Sequence, residues 1–322
     1  MRSHWISLVT GAWIALAGLS AGAQQSPVPP MIRIVVPAAP GASTDLFARA
    51  IAPQLAAQLG TQVIVDNRAG ASGMIGAAAV AKGPKDGSQI LMFSTSLISA
   101  AATMRATPVD VVNDLAPLAG VAENPLVFAV ASQSPIRTPA DLVAAARAKP
   151  GQVTHGTAGV GTIAHIAQEL FDGAAKVQIQ HVPYKGTALA VVDMLAGTID
   201  LIVASRSTVG AQVKAGKARL IGVASRQAHP DFAGLPTMNS VAPGYEAGLW
   251  LGTWVAAGTP PDIVQRYNRA LVEIARSKEL VDQMQTDGAV PLNWTPEQFA
   301  ARVRSDFATF KKLATDKNIV ID

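Results

Sequence analysis

The chemistry this sequence offers is concentrated in two glycine-rich turns. The first lies in IRIVVPAAPGASTDLFARA, Ile32 to Ala50, and the second in VTHGTAGVGTIAHIAQELF, Val153 to Phe171. Each stands between a strand-like run and a helix-like run. A chain that ends a strand, turns on Gly and small polar residues and then opens a helix leaves backbone N–H groups without partners. Those donors and the positive end of the helix dipole favour an anion. Gly41 and Gly159 lie far apart in the chain, which points to one turn per domain, both facing a shared ligand.

The side chains at the turns have two readings each. Asp45, in the first turn of its helix, either complements the helix dipole and orders the loop or meets a donor on the ligand. Ser43, Thr44 and Thr162 are helix caps or ligand hydroxyls. His165 either points at a carboxylate or braces its loop. Arg68 and Lys185 are counter-ions or solvated surface charges.

Other chemistries lack their parts. Gly159 to Ala164 matches G-x-G-x-x-A, but no acidic residue follows about 20 positions on to hold a ribose; Ile179, Gln180 and His181 stand there. There is no P-loop. Gly70-Ala71-Ser72-Gly73 lacks the second spacing of a nucleophile elbow. The histidines His4, His155, His165, His181 and His229 form no H-x-x-x-H pair, and the chain has no Cys. The expectation is therefore no metal, no cofactor and no catalytic residue.

Composition sets the frame. The chain has 322 residues, 49% hydrophobic and 15% charged, enough for two domains with large cores. Aromatics at 5% leave little for base stacking, and a net charge of +4 with scattered basic residues gives no nucleic-acid surface. Arg2, the apolar stretch from Trp5 to Leu19 and Ala21-Gly22-Ala23 read as a cleaved secretory signal, residues 1–23. Residues 24–30 read as a flexible Pro-rich leader. A cysteine-free exported chain fits a periplasm.

The elements that must position the turns follow from periodicity. Ile32 to Val36, Val63 to Val65 and Ile90 to Phe93 read as buried strands. Phe47, Ile51, Leu55 and Leu59 form a helix stripe that Gly60 closes and Pro53 should kink. Asn67 to Gly76 is a further Gly-rich loop before an Ala-rich helix. A second unit begins near Leu126, with strands at Leu126 to Val130, Val153 to Thr157, Val177 to Val182, Ile199 to Val203 and Leu220 to Ala224. Thr138, Pro139 and Asp141 open one of its helices, and Thr187 to Ala196 is another, ended by Gly197. Trp250 to Ala256 reads as a strand, followed by amphipathic helices near residues 261–277 and 296–312. The repeated strand–turn–helix order implies α/β lobes with right-handed crossovers, ligand at the carboxyl ends of the strands.

Taken in order, the motifs resemble one family. VVPAAPGASTDLFAR (Val35 to Arg49), VDNRAGASGMIGA (Val65 to Ala77), KDGSQIL (Lys85 to Leu91), GTAGVGTIAHIAQELF, HVPYKGTALAVVDMLAGTID, LPTMNSVAPGY and TWVAAGTPPDIVQRYNRAL are similar to stretches of the solute-binding proteins of tripartite tricarboxylate transporters, the Bug family of periplasmic binding proteins. The resemblance runs from about residue 32 to the C-terminus. It implies a two-lobed, type II-like periplasmic-binding fold, each lobe a mainly parallel sheet flanked by helices. Lobe 1 would hold residues 31–124 and 248–322, and lobe 2 residues 125–247. The implied function is capture of a di- or tricarboxylate, aromatic acid or acidic amino acid by a monomer, for delivery to membrane permease subunits. An exported sensor module, or a hydrolase on the same scaffold, is the alternative. Carried over by motif, the site is Pro37, Gly41, Ala42, Ser43, Thr44 and Asp45 on one side. On the other it is Thr157, Ala158, Gly159, Gly161, Thr162 and His165. Loops containing Ser94, Tyr184 and Ser205 would set selectivity. Ala38 stands for the family's Phe, Ala42 for a Gly, Ala69 for a Pro, Ser88 for a Tyr and Asp306 for a Glu.

Overall fold

A computed structural model describes residues 27–320 of the chain. The expected signal segment and the start of the leader lie outside the described residues. Val28 packs on the first core, and Thr61 Oγ1 donates to the Pro29 carbonyl.

The first run of elements is β1 (Met31–Val36), α1 (Ser43–Leu59), β2 (Gln62–Asn67), a short 3₁₀ turn (Ala71–Gly73), α2 (Met74–Ala81), β3 (Gln89–Ser94), α3 (Ser96–Thr103) and β4 (Leu115–Pro125). The second is β5 (Val127–Ala131), α4 (Pro139–Ala148), β6 (Thr154–Thr157), α5 (Ile163–Ala175), β7 (Gln180–Pro183), α6 (Thr187–Ala196), β8 (Leu201–Ala204), α7 (Arg206–Lys214) and β9 (Ala218–Val223). The chain then forms β10 (Gly248–Ala256), α8 (Pro261–Ala275), α9 (Lys278–Asp287), β11 (Val290–Pro291) and α10 (Pro296–Asp316).

Local chemistry explains many of these limits. Gly60 and Gly197 adopt the left-handed conformation that ends α1 and α6. Thr138 and Asp141 form a reciprocal capping box at α4, and Thr295 and Gln298 do the same at α10. α1 runs on through Pro53, whose ring faces solvent, so the carbonyl it leaves unbonded lies on the wet side. β7 starts at Gln180 rather than Val177, because the N–H groups of Val177 and Ile179 bond to the Asp172 carbonyl and carboxylate instead of to a strand.

The described residues form two mixed sheets, in the orders β11-β4-β10-β3-β1-β2 and β7-β6-β8-β5-β9. The pairings β2-β1-β3 and β7-β6-β8 are parallel, as expected for strands joined by crossover helices. Returning strands add antiparallel pairs: β10 with β3 and β4, and β5 with β8 and β9. Most strands of each sheet still point the same way. The chain passes between the sheets twice, after Pro125 and before Gly248. These two residues are register partners, so the crossings run side by side. Leu126, Ala224 and Ala247 knit them through backbone bonds.

Aromatic packing fixes each sheet to its helices. Phe128, Phe171 and Tyr245 meet at 5.2–6.1 Å between ring centres, and Trp250, Trp254 and Phe299 at 5.1–5.8 Å. Each buried side chain of this size contributes about 2–3 kcal/mol. Asp306 accepts the Trp250 indole N–H at 2.8 Å and pairs with Arg302.

Candidate functional site

The carboxyl ends of β1 and β6 lead into the two expected turns. In the first, Gly41 takes a φ of +83°, and its N–H donates to Asp45 Oδ2 at 2.8 Å. In the second, Gly161 takes +74°, and its N–H donates to His165 Nδ1 at 3.1 Å. The same device recurs in both. A glycine in the left-handed region gives its N–H to the side chain four residues on, inside the first turn of the following helix.

Both acceptors are therefore loop braces. Asp45 is 1% exposed and also receives Arg49 Nε and Asn67 Nδ2, each at 2.9 Å. The Arg49 bond, reinforced by those from Gly41 and Asn67, holds its carboxyl at about 2 against burial, which opposes them. His165 is buried and lies face to face with His181, ring centres 3.7 Å apart. Thr157 Oγ1 sits 2.6 Å from His181 Nε2 and accepts the Gly159 N–H at 3.1 Å. The Tyr184 hydroxyl donates to Asp193 at 2.7 Å, and burial, reinforced by this bond, pushes its pKa up to about 12. Gly41, Ala42, Asp45, Thr157, Gly159, His165 and Tyr184 line neither cavity described next.

Two adjoining cavities lie between the sheets. The larger, about 470 Å³, is lined by Pro37, Ala158, Gly161, Thr162 and Ser205 of the expected set. The smaller, about 200 Å³, is lined by Ser43, Thr44, Ser94 and again Ser205. Ser205 and Leu249 belong to both walls, so the cavities form one cleft touching both turns. The total suits a small organic ligand. Arg68 pairs with Asp66 at 2.9 Å, and neither it nor the exposed Lys185 reaches the cleft.

The cleft wall also holds Ser96, from the expected Ser94 loop, and residues that the motif carry-over missed. Of these, Ser72, Ser99, Thr187 and Thr208 add hydroxyls, and Phe93, Leu126, Ile163 and Val203 add apolar surface. Ser72 had a signal in the Gly-rich run at residues 67–76. Gly70 has a φ of +129°, and Ala71 and Ser72 follow at +45° and +52°. Two successive non-glycine residues in the left-handed region store strain of order 1 kcal/mol or more each, the kind of outlier that gathers at ligand sites. Thr187 and Thr208 belong to helices that run away from the cleft, and only the packing reveals them.

The electrostatics of the cleft come from neutral donors. Every residue lining either cavity is uncharged. α1, α5, α6 and α7 begin at the cleft without a side-chain cap, at Ala42, Thr162, Gly186 and Ser205. Away from it, α4, α9 and α10 are capped by Thr138, Ser277 and Thr295, while α8 also starts without a side-chain cap, at Pro260. Uncapped first-turn N–H groups carry the positive ends of four helix dipoles toward one space. Such a space accepts an anion without a cationic side chain. Among the described residues no group of three or more His, Asp or Glu is placed to hold a metal ion.

The chain is similar to known proteins along most of its length. A family model described as the tripartite tricarboxylate transporter family receptor matches residues 47–319. The chain is 35% identical over 295 residues to the protein BugT of Bordetella pertussis, with 90% of each chain covered. A crystal structure of a TctC solute-binding protein from Polaromonas aligns with a TM-score of 0.79 at 29% identity, covering 88% of this chain and 98% of the other. A structure of R. palustris Rpa4515 with adipate aligns at 0.74 and 29%, covering 90% and 98%. These are solute-binding receptors rather than enzymes.

Proposed function

The chain belongs to the tripartite tricarboxylate transporter receptor family, and from that premise we propose that it captures a small carboxylate in the periplasm and hands it to membrane permease subunits. Capture involves no covalent step. Lobe 1, residues 31–124 and 248–322, and lobe 2, residues 125–247, close on the acid by bending at the paired crossings beside Pro125 and Gly248.

The observation that carries this reading is the ring of uncapped helix starts around an uncharged cleft. A carboxylate has the acceptor oxygens those N–H groups lack. Each hydrogen bond to a charged acceptor is worth about 1.5–3 kcal/mol. Three or four supply about 4.5–12 kcal/mol against the freedom lost on binding. The adipate-bound relative, 29% identical over nearly the whole chain, supports an acid as the ligand class. Periplasmic residence is supported by the family, and no helix among the described residues is long and apolar enough to cross a membrane.

A thermal-shift screen of the chain against mono-, di- and tricarboxylates, aromatic acids and acidic amino acids tests the proposal. A ligand at 100 times its dissociation constant stabilises by about 2.7 kcal/mol. Stabilisation by at least one acid is expected. A flat response to all of them at millimolar concentration sinks it.

A further inference from the structure

Three histidines from three elements converge behind the second turn. His155 on β6 and His181 on β7 are register partners on neighbouring parallel strands, and His165 packs on them from α5. His155 Nε2 accepts the Val203 N–H at 3.1 Å, on the strand that leads to Ser205. His165 Nδ1 accepts the Gly161 N–H. His181 touches both ends of the turn at once, stacked on His165 and bonded to Thr157, which in turn holds Gly159.

Resting on the carboxylate reading above, we propose that His181 is a positioning residue for the ligand. Its ring clamps the second turn at Gly159 and Gly161, so that the first N–H groups of α5 face the cleft. His181 itself lines neither cavity and acts only through its two neighbours.

The clamp works only with neutral rings. An imidazole nitrogen that accepts a backbone N–H carries no proton there, as at His155 Nε2 with Val203 and at His165 Nδ1 with Gly161. Two cations stacked at 3.7 Å repel. Burial pushes His155 down to about 3 and His181 down to about 4, helped in both by the neighbouring imidazoles. The other ionisable groups at the cluster are on α5 and after α10. Glu169 lies 3.8 Å from His165 Nε2 and 3.1 Å from Lys317 Nζ, and Asp172 is held by Ile179 and Gln168. The turn should hold its shape at neutral pH and loosen on acidification toward pH 4.

The test uses His181→Ala, which removes ring and bond, and His181→Phe, which keeps a ring over His165 but loses the nitrogen facing Thr157. Amide hydrogen exchange at Gly159 and Gly161 in the ligand-free chain is one readout, and calorimetric affinity for the acid that best stabilises the parent in the screen is the other. In His181→Ala both glycine amides should exchange about tenfold faster, with β1 amides unchanged, and the acid should bind about tenfold more weakly. His181→Phe should restore Gly161 but not Gly159. In the parent, the Gly159 amide should lose protection as pH falls through about 4. Unchanged exchange, or changed exchange with unchanged affinity, overturns the proposal. If His181→Ala does not fold, His181→Phe and the parent pH series decide it. A parent that binds no acid instead overturns the carboxylate reading on which the proposal rests.

Discussion

Asp45→Asn is an almost isosteric change at a buried group, and the structure fixes what it must cost. The carboxylate receives three donors: the Gly41 N–H and Arg49 Nε on Oδ2, and Asn67 Nδ2 on Oδ1. An amide has one oxygen and one NH₂, so one face must turn a donor toward a donor. The cheaper choice keeps the oxygen on Gly41 and Arg49 and sets the new NH₂ against Asn67. Asn67 cannot simply flip, because its NH₂ also bonds the Ala38 carbonyl and its oxygen accepts from Arg49. One unsatisfied buried pair costs about 1–3 kcal/mol, and weakening the bonds to Gly41 and Arg49 adds about 1. Because Arg49 is half exposed, its share is discounted for solvent screening. The expected loss is about 2–4 kcal/mol, or about 4–8 °C in Tm for a chain of this size. Urea unfolding of the two proteins in parallel measures it. The carboxyl sits at about 2, below its ordinary 3.8. Its contribution is therefore complete above pH 4 and fades as pH falls through 2, where the two proteins should converge. A difference under about 0.5 kcal/mol at pH 7, or a gap that persists at pH 2, would refute the view that Asp45 holds the first turn.

Three further outcomes are expected. Ala42→Asn supplies α1 with the side-chain cap it lacks; stability should rise by about 1 kcal/mol while acid affinity falls, and a rise in both would contradict the role of free N–H donors. Gly252→Ala drives a Cβ into the Phe299 ring, which Trp250 and Trp254 pin at 5.2 and 5.1 Å, so thermal denaturation should show a loss of about 1–3 kcal/mol or more. The histidines held low at His155 and His181 make the fold lose stability as pH falls below 6.5. Asp172, pushed up to about 7 by burial, gains stability as pH falls from 7 toward 3.8 and partly offsets them. Asp172→Asn removes the offset, so the acid slope of unfolding free energy between pH 6 and 4.5 should steepen by about 1 kcal/mol per pH unit; an unchanged slope would show that Asp172 is not protonated in the fold.

The fold was legible wherever one residue decides a local outcome. Gly60, Gly197 and the Thr138–Asp141 box terminate or start helices by chemistry confined to a few residues. β4 was not, because LAPLAGVAENP lacks strand alternation and is a strand only through its pairing with β10. α9 hides in a polar stretch, though Ser277 and Gly288 mark both its ends. At the site, both turns could be read from motif order, but most of the cavity walls could not. The roles of Asp45 and His165 could not be separated from ligand contact, because a loop brace and a ligand group occupy the same place in the first turn of a helix. His181 leaves no local trace. Only the register of β6 with β7 and the packing of α5 bring it to Thr157 and His165.

The central claim is that a carboxylate sits between the two turns on neutral donors. A crystal structure of the chain with the best-stabilising acid from the screen addresses it most directly. Carboxylate oxygens are expected within about 3.2 Å of the N–H groups of Thr162, Ile163 or Ala164, with no Arg or Lys side chain against them. An acid bound outside the cleft, or held there by a cationic side chain, would contradict it.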